Sequence, residues 1–144
     1  MPDIIMRVGM LLLVGLLVWA IVWYGRRFVE KRRRAALAAL PFVDNQSVAA
    51  DSQQALIRIL AFMSEDCRQC HQMQTPVLQR VVEARGERVY VEEIDAPGSP
   101  ELTQRYKVLT VPTTVVLDAR GYVHAINYGF ANTQKLLEQV DALP

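Results

Sequence analysis

Ser64-Glu65-Asp66-Cys67-Arg68-Gln69-Cys70-His71 contains both cysteines of a 144-residue chain. It follows Leu56-Ile57-Arg58-Ile59-Leu60-Ala61-Phe62, a short apolar run of strand formers that predicts a mostly buried strand. From Arg68 to Arg85, Met73, Val77, Leu78, Val81 and Val82 recur at spacings of three and four, which predicts a helix. Pro76 inside it predicts a kink, and Gly86 predicts its stop. Cys67 and Cys70 thus sit one turn apart at a helix N-terminus, where two thiols can close a short disulfide ring. The first thiol lies beside unpaired backbone N–H groups and the positive helix end. Both stabilise a thiolate, which is the nucleophile of disulfide exchange. Cys67 is expected to attack, and Cys70, more buried, to resolve.

The same residues admit other chemistry. Cys67-Arg68-Gln69-Cys70-His71 matches the c-type haem attachment pattern. That function needs export, a distal ligand and a helical wrap around haem, whereas this motif lies between a strand and a helix. Cys67, Cys70, His71 and His124 have the ligand types of a zinc site. His71, however, adjoins Cys70, and zinc fingers seldom embed one CxxC in a βαβ unit. An inert structural pair is the third alternative. His71 reads as an exposed first-turn residue and His124, in a strand, as structural.

Towards the C-terminus, Val89 to Ile94 reads as a strand, and Pro97-Gly98-Ser99-Pro100 turns the chain into a short helix through Leu102 and Tyr106. Thr113 to Leu117 is a strand, Asp118-Ala119-Arg120-Gly121 a turn, and Tyr122 to Tyr128 its hairpin partner. Asn132 or Thr133 caps a last helix carrying Leu136, Leu137 and Val140. The order β-α-β-α-β-β-α predicts an α/β fold, a mixed sheet with helices on both faces.

These features, in this order, resemble the thioredoxin superfamily over residues 50–144. The resemblance rests on strand Ile57–Met63, Cys67-x-x-Cys70, Pro76, Glu93-Ile94-Asp95 and Tyr106-Lys107-Val108-Leu109-Thr110-Val111-Pro112-Thr113. The turn at Ala119-Arg120-Gly121 and Gly129 before the last helix complete it. It implies that Pro112 is cis against the cysteines and that the Val111 backbone pairs with an incoming peptide. It also makes Met63 and Thr110 neighbours of the site. Thr110, Val111 and Pro112 are thereby candidate substrate-binding residues. The implied activity is thiol–disulfide exchange with protein substrates, with a redox partner to recycle the pair and no metal or organic cofactor.

This sequence departs from the family around the cysteines and in the first two strands. Asp66 replaces the usual Trp before the first cysteine, and Arg68-Gln69 replaces Gly-Pro. Asp66 is expected to raise the Cys67 thiol pKa, whereas Arg68, and His71 when protonated, lower it. The family often also buries an Asp in the first strand near a Lys in the next. The matching positions hold Ala61 and Val91, so both members are lost together and no unpaired charge is buried. Glu65, Asp66, His71 or water would then serve as proton relay. The missing Trp and unusual dipeptide also fit a redox-inactive binding module.

Towards the N-terminus, Val8 to Tyr24 contains no charged residue. With Ile4 to Met6 the apolar span reaches about 20 residues, enough to cross a bilayer core of roughly 30 Å. Trp19, Trp23 and Tyr24 cluster at one end like an aromatic belt. Gly25-Arg26-Arg27 does not resemble a signal-peptide cleavage site, which favours a retained anchor. Arg26, Arg27, Lys31, Arg32, Arg33 and Arg34 follow, with Glu30 the only acid among them. By the positive-inside rule this places the redox domain in the cytoplasm; the extracytoplasmic side is the alternative. Residues 4–34 are the expected lipid contact. The expected division is an anchor at 1–25, a basic collar and linker at 26–49, and the thioredoxin-like domain at 50–144. Pro41 is expected to end any helix that continues through the alanines at 35–39.

The whole-chain averages conceal this partition. The chain is 51% hydrophobic with a formal charge of +1, which excludes a disordered chain and argues against a nucleic-acid binder. From Ser47 onwards, however, nine bases face twelve acids, so a basic collar offsets a mildly acidic domain.

Overall fold

The computed structural model describes residues 2–38 and 57–144, in two compact units that divide between Arg34 and Ala35. The expected stop at Pro41 and residues 39–49 of the expected linker lie outside the described residues.

The first unit is helical. Helix α1 runs from Pro2 to Leu37 without a break at Gly25, so the apolar run and the basic collar form one helix. Its segment Arg7–Ala35 is long and apolar enough to cross a membrane. Trp19 and Trp23, one turn apart, stack at 6.2 Å. Arg27 lies 4.6 Å over the Trp23 ring, Arg32 lies 5.0 Å over Phe28, and Arg34 pairs with Glu30 at 3.3 Å.

The second unit contains the sheet. Strand β1 (Ile57–Met63) is followed by a π-turn (Cys70–Gln74) and helix α2 (Thr75–Arg85). Strand β2 (Val89–Asp95), helix α3 (Pro100–Arg105), strands β3 (Thr113–Leu117) and β4 (Val123–Tyr128), and helix α4 (Thr133–Asp141) complete it. The sheet order is β2-β1-β3-β4, with β1 and β2 parallel and the other pairs antiparallel.

Side chains alternate across β1 and build two cores. Ile57, Ile59 and Ala61 pack with Val77, Leu78 and Val81 of α2 and Leu136 and Val140 of α4. Leu60 and Phe62 point to the other face, against Tyr106 and Leu102. Two faces covered by helices explain why β1 reads as an almost unbroken apolar run rather than an alternating one.

Just before Pro76, where a kink is expected, the structure has the π-turn. Pro76 has no N–H to donate, and its ring crowds the carbonyl four residues earlier. The ladder shifts just before it: the Thr75 N–H bonds to Cys70 O, and the Thr75 hydroxyl donates to the same oxygen at 3.2 Å. Met73 and Val82, expected on the apolar stripe, are substantially exposed. The hairpin partner begins at Val123 rather than Tyr122, because the Tyr122 and Arg120 N–H groups both donate to Asp118 Oδ1 at 2.9 Å. Asn132 caps α4 by accepting from the Lys135 N–H.

Helix α3 ends on a double hydrogen bond, from Val108 N–H to Thr103 O and from Lys107 N–H to Gln104 O. This closing motif places its penultimate residue in the left-handed region, normally on glycine; here Lys107 occupies it with φ 52°. Tyr106, beside it, is fully buried, and its ring packs 6.0 Å from Phe62. Its hydroxyl finds no hydrogen-bond partner among the described residues. Burial pushes its pKa up to about 12. Between the ordinary tyrosine value near 10 and that value, the unfolded chain holds fewer protons than the folded one, so stability falls as pH rises. Tyr106→Phe removes both the unmet hydroxyl and the titration. It is expected to stabilise the domain by about 1 kcal/mol at neutral pH and to flatten the decline above pH 10. Denaturant unfolding at pH 7, 9 and 11 checks both effects; equal or lower stability of the variant contradicts the first.

Candidate active site

The sheet register assembles the site. Phe62 pairs with Thr113, and Thr113 pairs with Tyr128. The end of β1, the start of β3 and the end of β4 therefore share one edge. The loops leaving that edge are Ser64–Asp66, Thr110–Pro112 and Gly129–Ala131.

Cys67 and Cys70 are joined as a disulfide at the entry to the helix. The Cys67 N–H bonds to Ser64 O at 3.1 Å, and Cys67 O accepts from the N–H groups of Cys70 and His71 at 3.0 and 3.3 Å. The Cys70 N–H also points at Cys67 Sγ, 3.1 Å away. Cys67 is half-buried and Cys70 fully buried. The outward sulfur thus sits where a backbone donor and the helix end favour negative charge. The inner sulfur is shielded from bulk solvent.

Asp66, Arg68 and Gln69 are exposed around Cys67. His71 is exposed too, and its Nε2 lies 3.1 Å from Glu65 O, tying the helix entry to the loop before it. Met63 is buried beneath the loop, with the Thr75 hydroxyl 4.0 Å from its sulfur. Ala61 is fully buried in the cluster against which Val91 packs, so an apolar contact occupies the expected charge-pair position.

Pro112 is buried, and the Val111–Pro112 peptide bond is cis. Val111 is half-buried and Thr110 exposed. The Thr113 hydroxyl donates to Thr110 O at 2.6 Å, which pins the loop to the start of β3. His124 lies at the opposite end of β4 from Tyr128, so the four residues considered for zinc are not brought together. Among the described residues no His, Cys, Asp and Glu cluster is arranged to hold a metal.

Sequence reasoning missed Gln74. It is completely buried, and its amide pairs with the backbone of Ala131: Nε2 donates to Ala131 O at 3.2 Å, and Oε1 accepts the Ala131 N–H at 3.0 Å. The available signal was a polar residue four positions after Cys70 and four before Leu78, on the helix's apolar side.

A family model described as Thioredoxin matches residues 43–142. A thioredoxin of Rhodospirillum rubrum is 32% identical over 81 residues, covering 56% of this chain and 76% of that protein. A Bacillus subtilis thioredoxin is 28% identical over 97 residues, covering 67% of this chain and 90% of that protein. Among solved structures, the germline-specific thioredoxin Deadhead of Drosophila melanogaster matches with a TM-score of 0.55 at 28% identity, over 62% of this chain and 83% of that one.

Proposed function

The chain belongs to the thioredoxin family, and from that membership we propose that it is a membrane-anchored thiol–disulfide oxidoreductase working through Cys67 and Cys70. The observation that carries it is the asymmetry of the pair: a half-exposed Cys67 sulfur facing the Cys70 N–H at 3.1 Å, and a buried Cys70 behind it.

In the reducing direction the Cys67 thiolate attacks one sulfur of a substrate disulfide. A Cys67–substrate disulfide forms, and the other substrate sulfur leaves as a thiolate. The Cys70 thiol then loses its proton to water at the mouth of the site, where Glu65, Asp66 and His71 are exposed. The Cys70 thiolate attacks Cys67 Sγ, the Cys67–Cys70 disulfide closes, and the second substrate thiolate departs. Two electrons have passed to the substrate, and a dithiol or other two-electron reductant returns the pair to its reduced state. The reverse sequence donates a disulfide. Asp66 disfavours the Cys67 thiolate, whereas Arg68 and protonated His71 favour it. Val111 offers its backbone to an extended substrate segment, with Pro112 and Thr110 shaping the approach. The mechanism uses no metal or organic cofactor.

The apolar helix and its basic collar support a single-pass membrane location with the redox domain in the cytoplasm. Intact cells treated with mild reductant and a membrane-impermeant thiol reagent test the orientation. Cys67 is expected to stay unlabelled until the cells are opened, and strong labelling in intact cells would place the domain outside. Insulin reduction by the full chain in detergent tests the activity. Persistent inactivity with every dithiol tried would leave the binding-module reading instead.

A further inference from the structure

We propose that Gln74 is a positioning residue for substrate recognition: its buried amide holds the Gly129–Ala131 loop beside the Cys67–Cys70 pair and so sets the affinity for protein disulfides. The inference rests on reading this site as one of thiol–disulfide exchange.

Gln74 closes the π-turn that begins at Cys70, so it belongs to the same irregular turn as the resolving cysteine. Its side chain spends both functional groups on one residue, Ala131, as a neighbouring strand would. Ala131 is fully buried, so its N–H and C=O need partners within the protein. Gln74 is thus the fixed point of a short arch that runs from the end of β4 to the cap of α4. Gly129 turns this arch with φ 80°, and Phe130 presents a partly exposed ring from it. The register of β1, β3 and β4 brings the arch to the sheet edge that carries the cysteines and the cis-proline loop. The arch and the cis-proline loop adjoin the paired ends Tyr128 and Thr113, so a polypeptide lying along Val111 would extend past the arch, whereas a small disulfide need not. The amide therefore bears on the binding of long substrates and leaves the chemistry at sulfur unchanged.

An apolar side chain of similar size would fill the same space without holding the Ala131 peptide. The full chain in detergent is compared with Gln74→Met, using insulin and a small aromatic disulfide as substrates. Gln74→Met is expected to raise KM for insulin about tenfold, roughly 1.4 kcal/mol of binding, with kcat, the small-disulfide rate and the reduction potential unchanged. A lower Tm with an unchanged insulin KM would reduce Gln74 to packing and overturn the proposal. An equal loss with both substrates would also overturn it, because the site chemistry itself would then have been disturbed. Should Gln74→Met fail to fold, the exposed substitution Phe130→Ala decides: a raised insulin KM with an intact small-disulfide rate supports recognition by the arch, and an unchanged KM overturns it. Inactivity of the unsubstituted chain on both substrates would instead sink the exchange reading, a failure recognisable without any change at position 74.

Discussion

Cys70→Ser is expected to leave the chain covalently attached to its substrates, while Cys67→Ser forms no such adducts. Cys67 is the half-exposed member of the pair, with the Cys70 N–H 3.1 Å from its sulfur, and is therefore expected to meet the substrate first. Cys70 is fully buried and is expected to react only after Cys67 has formed the mixed disulfide. Without the resolving thiol the mixed disulfide waits for an external one. Without the attacking thiol nothing forms. Turnover is expected to fall on the order of 10³-fold or more in each variant, because the two thiols act in series on one reaction. Acid-quenched samples run on non-reducing gels separate the variants: high-mass bands that collapse with reductant appear for Cys70→Ser only. Equal trapping by Cys67→Ser would reverse the assigned roles.

Ala61→Asp is expected to cost about 3–5 kcal/mol at neutral pH, the penalty of a buried charge with no partner. Ala61 is completely buried, and the side chain packed near it from the next strand is Val91, not a lysine. The introduced carboxyl would be pushed upward in pKa by burial. Its folded value then exceeds its unfolded one, so the added loss is small at acid pH and grows as pH rises. Adding Val91→Lys supplies a counter-charge on the same face of the sheet, two positions from the residue paired with Ala61. That double variant is expected to regain about half of the loss, since the pair still has to be desolvated. Denaturant unfolding of the full chain in detergent at pH 5 and pH 8 measures each term. A single variant as stable as the parent at pH 8 would show that water reaches this position.

The parts of this molecule legible in the sequence are those in which one residue carries one signal. Strand β1, the cysteine pair at a helix entry, the Asn132 cap and the turn at Asp118 each announce themselves locally. The Ala61 and Val91 positions were legible because two substitutions agreed with each other. Gln74 was not, because its partner Ala131 is 57 residues away and offers only backbone, which has no sequence signature. The π-turn was only half-legible: Pro76 marks a disturbance, but where the hydrogen-bond ladder gives way depends on the Thr75 hydroxyl and the packing beneath Cys70. Met73 and Val82 misled because the spacing rule assumes a regular helix facing one apolar surface. The division at Gly25 marks a change of composition, and one helix carries both sides of it, because arginine and lysine are good helix formers and α1 continues to Leu37.

Arg105 and Lys107 look interchangeable, as exposed cations two positions apart. Arg105 is the last residue of α3, and Lys107 occupies the turn that closes it with φ 52°. At position 105 glycine ranks near the bottom of acceptable replacements, about 1 kcal/mol worse than alanine. At position 107 the order inverts: glycine and asparagine rise to the top, and valine or isoleucine sink below lysine. What position 107 hands on is a change of direction rather than a charge. It sets the direction in which residues 108–112 leave α3, and with them the cis Val111–Pro112 bond, so the backbone geometry of position 107 is felt at the start of β3.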